Sequence, residues 1–401
     1  MSNKLNWAVV AAFAGLTHGV FAGTAANVPN LDQVLAASGI TEQGYVEAGY
    51  DGYNFAAPGA GNNAPTTLNT FDNKANTFAL KQAYLQLAKQ PSEGFGGLVN
   101  VIAGSDADQI KSYPYSNGSA ANSLDLTQAF LQYASGMYTV QAGKFVTLAG
   151  AEGLNDATNT NISHSISFLH AIPFTHTGVR LTVAPTQTLS FIIGEVNGWD
   201  QQQSQNRQKT TELGVAFNPN SMLNWTLQDY YGDALANGCS ATTTTPCPVY
   251  KYSHSGNILN LSANGVVGQR NLVDTVLTIK PTSLFSVVLN GDYGTQEHAF
   301  ANSGMAAKWY SGDLYLNSQI TDQWRTSLRF EDFNDQEGYI LGYGAGNTKS
   351  TTLTVAYAPT KNSEVRAEIR DDHLPGKVVQ RSNGSMTDNV GYGAIEGIYK
   401  F

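Results

Sequence analysis

Residues able to do chemistry are few in this chain of 401, and they are not grouped for catalysis. Seven histidines are scattered along it, two of them beside a hydroxyl: His164 next to Ser165 and His176 next to Thr177. Sequence neighbours in a strand point to opposite sides, so neither couple can act as base and nucleophile, and no enzyme chemistry is expected. No metal-ligand spacing appears and no Gly-rich loop opens a helix to hold a phosphate, so neither a metal nor a cofactor is expected. Cys239 and Cys247 flank the Thr-rich stretch Ala241 to Pro246, with His254 alone nearby. Their closeness, in an oxidising compartment, predicts a loop disulfide.

What remains is electrostatic. In the stretch Trp324 to Glu331, the residues Arg325, Arg329 and Glu331 alternate with Trp324, Leu328 and Phe330. In Val365 to Asp372, the residues Arg366, Glu368, Arg370 and Asp372 alternate with Val365, Ala367 and Ile369. Such rows suit a wall that is wet on one face and greasy on the other. An arginine turned to lipid at the bilayer midplane would cost about 2–4 kcal/mol, so these charges must face a wet lumen. A soluble sandwich would show the same alternation. Other features have to separate the two.

The elements that carry these rows are strands. From Gly44 onward the apolar period is two, and about sixteen strands can be counted, among them Phe78 to Ala88, Leu124 to Ala134, Leu189 to Gly198, Met222 to Gly232, Leu272 to Lys280 and the terminal Asp388 to Phe401. The terminal strand ends on an aromatic and leaves an edge that must pair, most simply with the first strand. Phe78 to Ala88 and Leu124 to Ala134 repeat each other, and both slip phase by one, as a β-bulge would require. Phe191 and Ile193 share parity with Glu195, and Trp225 and Leu227 with Asp229. Either those strands bulge or the acids stand at the loop-side rim; the rim is favoured. Short Pro-containing turns such as Ala184-Pro185-Thr186 and Lys280-Pro281-Thr282 alternate with long polar loops, including Asn54 to Asn76, Ser105 to Ser123, Leu148 to Pro173 and Asp233 to Asn271. Short turns on one rim and long loops on the other suit a transmembrane antiparallel up-and-down β-barrel.

Composition agrees. Charged residues are 13% of the chain, about half the usual share, yet the mean hydropathy is -0.22, and no apolar run is long enough for a helical span. The net charge of -9 argues against nucleic acid as a partner. Lys4, an apolar run from Trp7 to Leu16, and Val20-Phe21-Ala22 before Gly23 read as a secretory signal over residues 1–22. Residues 23–42 form a periplasmic segment with a short helix between Pro29 and Ser38, and 43–401 form the barrel.

Gly143-Lys144-Phe145, Gly150-Ala151-Glu152, Ser165 to Phe168, Ile172 to Arg180, Val196 to Asp200 and the terminal Ile398 to Phe401 together resemble the OmpL-like β-barrel porins. The resemblance implies a bacterial outer-membrane channel for small hydrophilic solutes or ions, set in lipid, with no named substrate. A substrate-specific channel for sugars or small peptides is one alternative. A structural or adhesive barrel whose loop aromatics Tyr113, Tyr115, Tyr250 and Tyr252 bind a partner is another. Homo-oligomers are compatible with each. Sixteen-stranded porins fold their third long loop inward, which implies a constriction at Glu152 and Asp156. Pore-lining charges facing it would be drawn from Lys144, Arg180, Arg325, Arg329, Glu331, Arg366, Glu368 and Arg370. The competing reading is that these charges pair wall to wall and merely hold the barrel together.

Overall fold

The computed structural model describes residues 35, 37–53, 68–72, 76–114, 123–204, 207–235, 267–300, 304–342, 344–381 and 383–401. By chain contacts it divides into Met1–Ile40 and Thr41–Phe401. In the first unit, Leu35, Ala37 and Ser38 are helical, and the Ser38 hydroxyl donates to the Leu35 carbonyl at 2.7 Å. The expected signal segment and the Cys239/Cys247 pair lie outside the described residues.

The second unit is a closed antiparallel barrel of sixteen strands in which each strand pairs with its sequence neighbours. They are β1 (Thr41–Tyr53), β2 (Thr77–Lys89), β3 (Gly94–Ala103), β4 (Leu124–Ser135), β5 (Tyr138–Val146), β6 (Thr175–Val183), β7 (Leu189–Val196), β8 (Thr210–Asn220), β9 (Leu223–Leu235), β10 (Val267–Thr282), β11 (Phe285–Gln296), β12 (Ala307–Gln319), β13 (Trp324–Asp335), β14 (Gly346–Thr360), β15 (Ser363–His373) and β18 (Asn389–Lys400). A small hairpin, β16 (Val379–Gln380) with β17 (Met386–Thr387), sits in the last long connection. Closure is made by β18 on β1, with Tyr45 opposite Lys400. The Phe401 amide donates to the Gly44 carbonyl at 3.0 Å. Gly44 has no side chain there because a Cβ would run into the Phe401 ring.

The two faces of the wall differ as the alternation requires. Phe78, Phe95, Leu131 and Ile369 are 83%, 80%, 73% and 64% exposed, an apolar skin no soluble monomer keeps in water. On the other face Arg329, Arg366, Glu212 and Asp274 are buried. Among the described residues no helix is long and apolar enough to cross a membrane.

The shared slip in the two repeated segments is a pair of matched bulges. Register jumps where Glu47 faces Gln82 but Ala48 faces Leu80, leaving Lys81 extra in β2. It jumps again where Asn100 faces Gln128 but Val101 faces Leu126, leaving Thr127 extra in β4. Lys81 and Thr127 hold the same place in the repeat. Through the first bulge, the consecutive residues Lys81 and Gln82 are both buried, which a regular strand would not allow.

Around Glu195 and Asp229 there is no bulge: register is continuous along β7 and along β9 from Trp225 onward, and Asp229 sits in mid-strand, opposite Leu213 and Val273, not at the rim. Glu195 stands one residue from the end of β7, exposed, where the Thr211 hydroxyl donates to it at 3.1 Å. Two strands run further than the sequence predicts. β9 reaches Leu235 and β10 begins at Val267, so the expected loop Asp233 to Asn271 is shorter. The pairing there continues through Asp233, Gln269 and Arg270, polar residues that carry no apolar alternation.

Candidate functional site

The segment between β5 and β6 does not stand out from the rim; it folds into the barrel. Its backbone and side chains bond to inward residues of strands from β9 through β18 to β1. The Leu148 amide donates to the Tyr230 hydroxyl of β9 at 3.1 Å, and the Ala151 amide to Asn290 of β11 at 2.9 Å. The Asp156 amide donates to the Tyr45 hydroxyl of β1 at 3.0 Å. Lys400 of β18 donates to the Ala157 carbonyl at 3.2 Å, and Arg325 of β13 to the Thr160 carbonyl at 2.7 Å. On the way back the Ile162 and Ser163 amides meet the Glu368 carboxylate of β15 at 2.6 and 2.9 Å. Trp309 of β12 donates its indole N–H to the Ala171 carbonyl at 3.2 Å. Gly294 leaves room for that indole, since a Cβ there would overlap it.

The centre of this web is Arg329. Its guanidinium bonds Glu331 at 2.7 Å, Glu152 at 2.8 Å and the Ser163 carbonyl at 2.6 Å. Arg370 joins from β15, bonding the His164 carbonyl and Asp372, each at 2.7 Å. Arg366 bonds Glu364 and the Asp156 carbonyl, at 2.5 and 3.1 Å. Three arginines thus hold loop carbonyls while their charge is met by carboxylates. Paired in this way, buried charge is tolerated.

Two loop acids grip one loop histidine. His164 lies 3.1 Å from Glu152 through Nδ1 and 3.2 Å from Asp156 through Nε2. Burial opposes the His164 charge, but the Asp156 and Glu152 carboxylates override it and hold its pKa up at about 10. Burial likewise opposes the Glu152 charge, and Arg329 with His164 overrides it, down to about 2. Glu152 also accepts from the Tyr315 hydroxyl at 2.9 Å and the Ser165 amide at 2.9 Å.

Arg325, Arg329, Glu331, Arg366, Glu368 and Arg370 therefore come together against the loop that carries Glu152 and Asp156. Lys144 and Arg180 do not reach its acids. Lys144 pairs with Asp125 at 3.3 Å. Arg180 holds Glu212 with two bonds, 2.7 and 2.8 Å, and stacks over the Phe145 ring at 4.0 Å. Sequence reasoning did not single out Tyr45, Gln82, Ser163, Trp309 or Tyr315, and it weighed His164 only as a catalytic base. Tyr113 joins two loops, its amide donating to the Asp200 carbonyl at 2.8 Å. Tyr115, Tyr250 and Tyr252 lie outside the described residues. Beneath the loop, at the short-turn rim, a cavity of about 560 Å³ is lined by Thr160, Lys280, Ser286, Asn317, Gln319 and Arg325.

A closed sixteen-stranded barrel, greasy outside, charged inside and crossed by an inward loop, is the architecture of a porin. The chain belongs to the family described as "Putative beta-barrel porin-2, OmpL-like", whose model matches residues 39–401. No curated protein matches the sequence. Among solved structures it is similar in fold to the outer-membrane channel DcaP of Acinetobacter baumannii, with TM-score 0.60 and 11% identity over 90% of this chain and 97% of that one. It is also similar to Pseudomonas putida OprB, with TM-score 0.56 and 11% identity over 94% and 97%. A third is an anion-selective porin from Comamonas acidovorans, with TM-score 0.54 and 9% identity over 90% and 99%.

Proposed function

We propose that this porin sits in the bacterial outer membrane, exported by a leader over residues 1–22, and passes small hydrophilic solutes passively along what the inward loop leaves of the lumen. The reading rests on one observation: the loop folds into the lumen and is bonded to the wall from β9 through β18 to β1, so whatever passes must pass beside it. In this account the wall charges position the loop, and Glu152 with Asp156 set the field at the narrowest level. A channel rather than an enzyme is also what the histidines favour. Both nitrogens of His164 lie against carboxylates, at 3.1 and 3.2 Å, and Nδ1 of His176 lies 3.2 Å from the Gly198 carbonyl.

Planar-bilayer recording of the double variant Glu152→Gln, Asp156→Asn tests it. The ratio of cation to anion permeability should fall severalfold. An unchanged ratio would remove both acids from the constriction.

A further inference from the structure

Opposite the arginines, the loop tip meets acids. Glu47 comes from β1, Asp106 from the segment that enters a short helix, α1 (Ala107–Ile110), after β3, and Asp156 from the loop. One carboxylate oxygen from each lies within 4.8 Å of the others, and all three residues are buried. Gln82, placed by the β2 bulge, donates to both aspartates, at 3.2 and 2.7 Å. Oε2 of Glu47, on a residue only 1% exposed, has no hydrogen-bond donor at all. Cations nearby are spent elsewhere. Lys81 is held by Asp72 and Asp51 at 2.5 and 3.1 Å, and reaches Glu396 at 3.9 Å. Arg366 serves Glu364 and Glu396. Among the described residues no lysine or arginine pairs with the carboxylate of Glu47, Asp106 or Asp156, and the one ion-pair partner is His164, at Asp156.

We infer that Glu47, Asp106 and Asp156 bind one hard divalent cation of calcium's size, which pins the loop tip to the barrel wall. Three buried carboxylates facing one another, one with a bare oxygen, carry more negative charge than His164, the one cation paired with them, offsets. Calcium takes oxygens at about 2.3–2.6 Å, so no two of its ligands stand more than roughly 5.2 Å apart, a condition that three oxygens within 4.8 Å of one another meet. Magnesium demands near-ideal octahedral geometry and gives up its water reluctantly, so an all-protein carboxylate cage suits it less. Because the ligands come from three elements, the ion would join β1, the β3–β4 connection and the inward loop. This does not depend on what the channel conducts.

The test uses the full-length barrel in detergent, stripped with a chelator and titrated calorimetrically with calcium chloride at neutral pH. One calcium per chain should bind, with magnesium weaker by roughly tenfold or more. Glu47→Gln and Asp106→Asn should each weaken calcium by about tenfold or more, while Asp332→Asn, an exposed acid at the rim, should leave it unchanged. Asp106 lies outside the strands, so its variant stays informative if the Glu47 variant fails to fold. No calcium bound by a folded barrel, proton uptake on stripping without calcium affinity, or wild-type affinity in both ligand variants would each overturn the site.

Discussion

The inward loop is held on two sides by opposite means. Against β13 and β15, each arginine meets a carboxylate and bonds a loop carbonyl: Arg329 with Glu152, Glu331 and the Ser163 carbonyl, Arg370 with Asp372 and the His164 carbonyl. Against β1 and β2, carboxylates outnumber the cations given to them, and Lys81 alone is shared by Asp51, Asp72 and Glu396. Both sides are buried, so burial does not separate them. The difference is in how the charges are paired. A closed set of charges fixes a loop by itself, whereas an open set fixes it only when something else arrives.

That contrast can be broken most forcefully at Arg329. Arg329→Ala leaves Glu152 and Glu331 buried without their cation and should cost about 3–5 kcal/mol, read as unfolding in detergent. Glu47→Gln, measured with chelator present, should be neutral or stabilising, because it removes a charge that has no partner. If both variants cost the same, the two sides do not differ as described. A smaller effect comes with pH. The His164 pKa is raised from 6.5 to about 10, so its contribution is full below pH 6.5 and is lost as pH rises through 10. That of Glu152 is lowered from 4.5 to about 2, so its contribution is present above pH 4.5 and lost as pH falls through 2. The loop clamp should therefore be firmest between pH 4.5 and 6.5, and the unfolding midpoint should fall steadily above that window. Smallest of all is the rim pair Lys349 and Asp332, 3.3 Å apart but 63% and 47% exposed. Lys349→Ala should leave stability and conductance unchanged within error, as solvent-screened pairs do.

The barrel was readable because a strand in lipid writes its faces into alternate residues. The matched bulges were readable for the same reason, since an extra residue shifts the phase at Lys81 and Thr127 alike. The ends of β9 and β10 were not readable. Beyond the membrane the strands still pair, but nothing forces their side chains to alternate. The rows Arg325 to Glu331 and Arg366 to Asp372 announced an inward charged face. Their partners did not, because Glu152 and Arg329 are 177 positions apart and Ser163 and Glu368 are 205 apart. His164 shows the limit most plainly. Beside Ser165 it suggested a catalytic base to be weighed and set aside, and only the returning loop reveals it between two acids.

Loop position is the claim on which the rest depends, and single-channel conductance measures it most directly. Glu152 meets the Ser165 amide at 2.9 Å, so residues 153–163 can be replaced by a short Gly-Ser bridge without moving the strands. The account predicts a folded barrel with severalfold higher conductance and weaker ion selectivity. Unchanged conductance in that variant would show that the loop does not narrow the path.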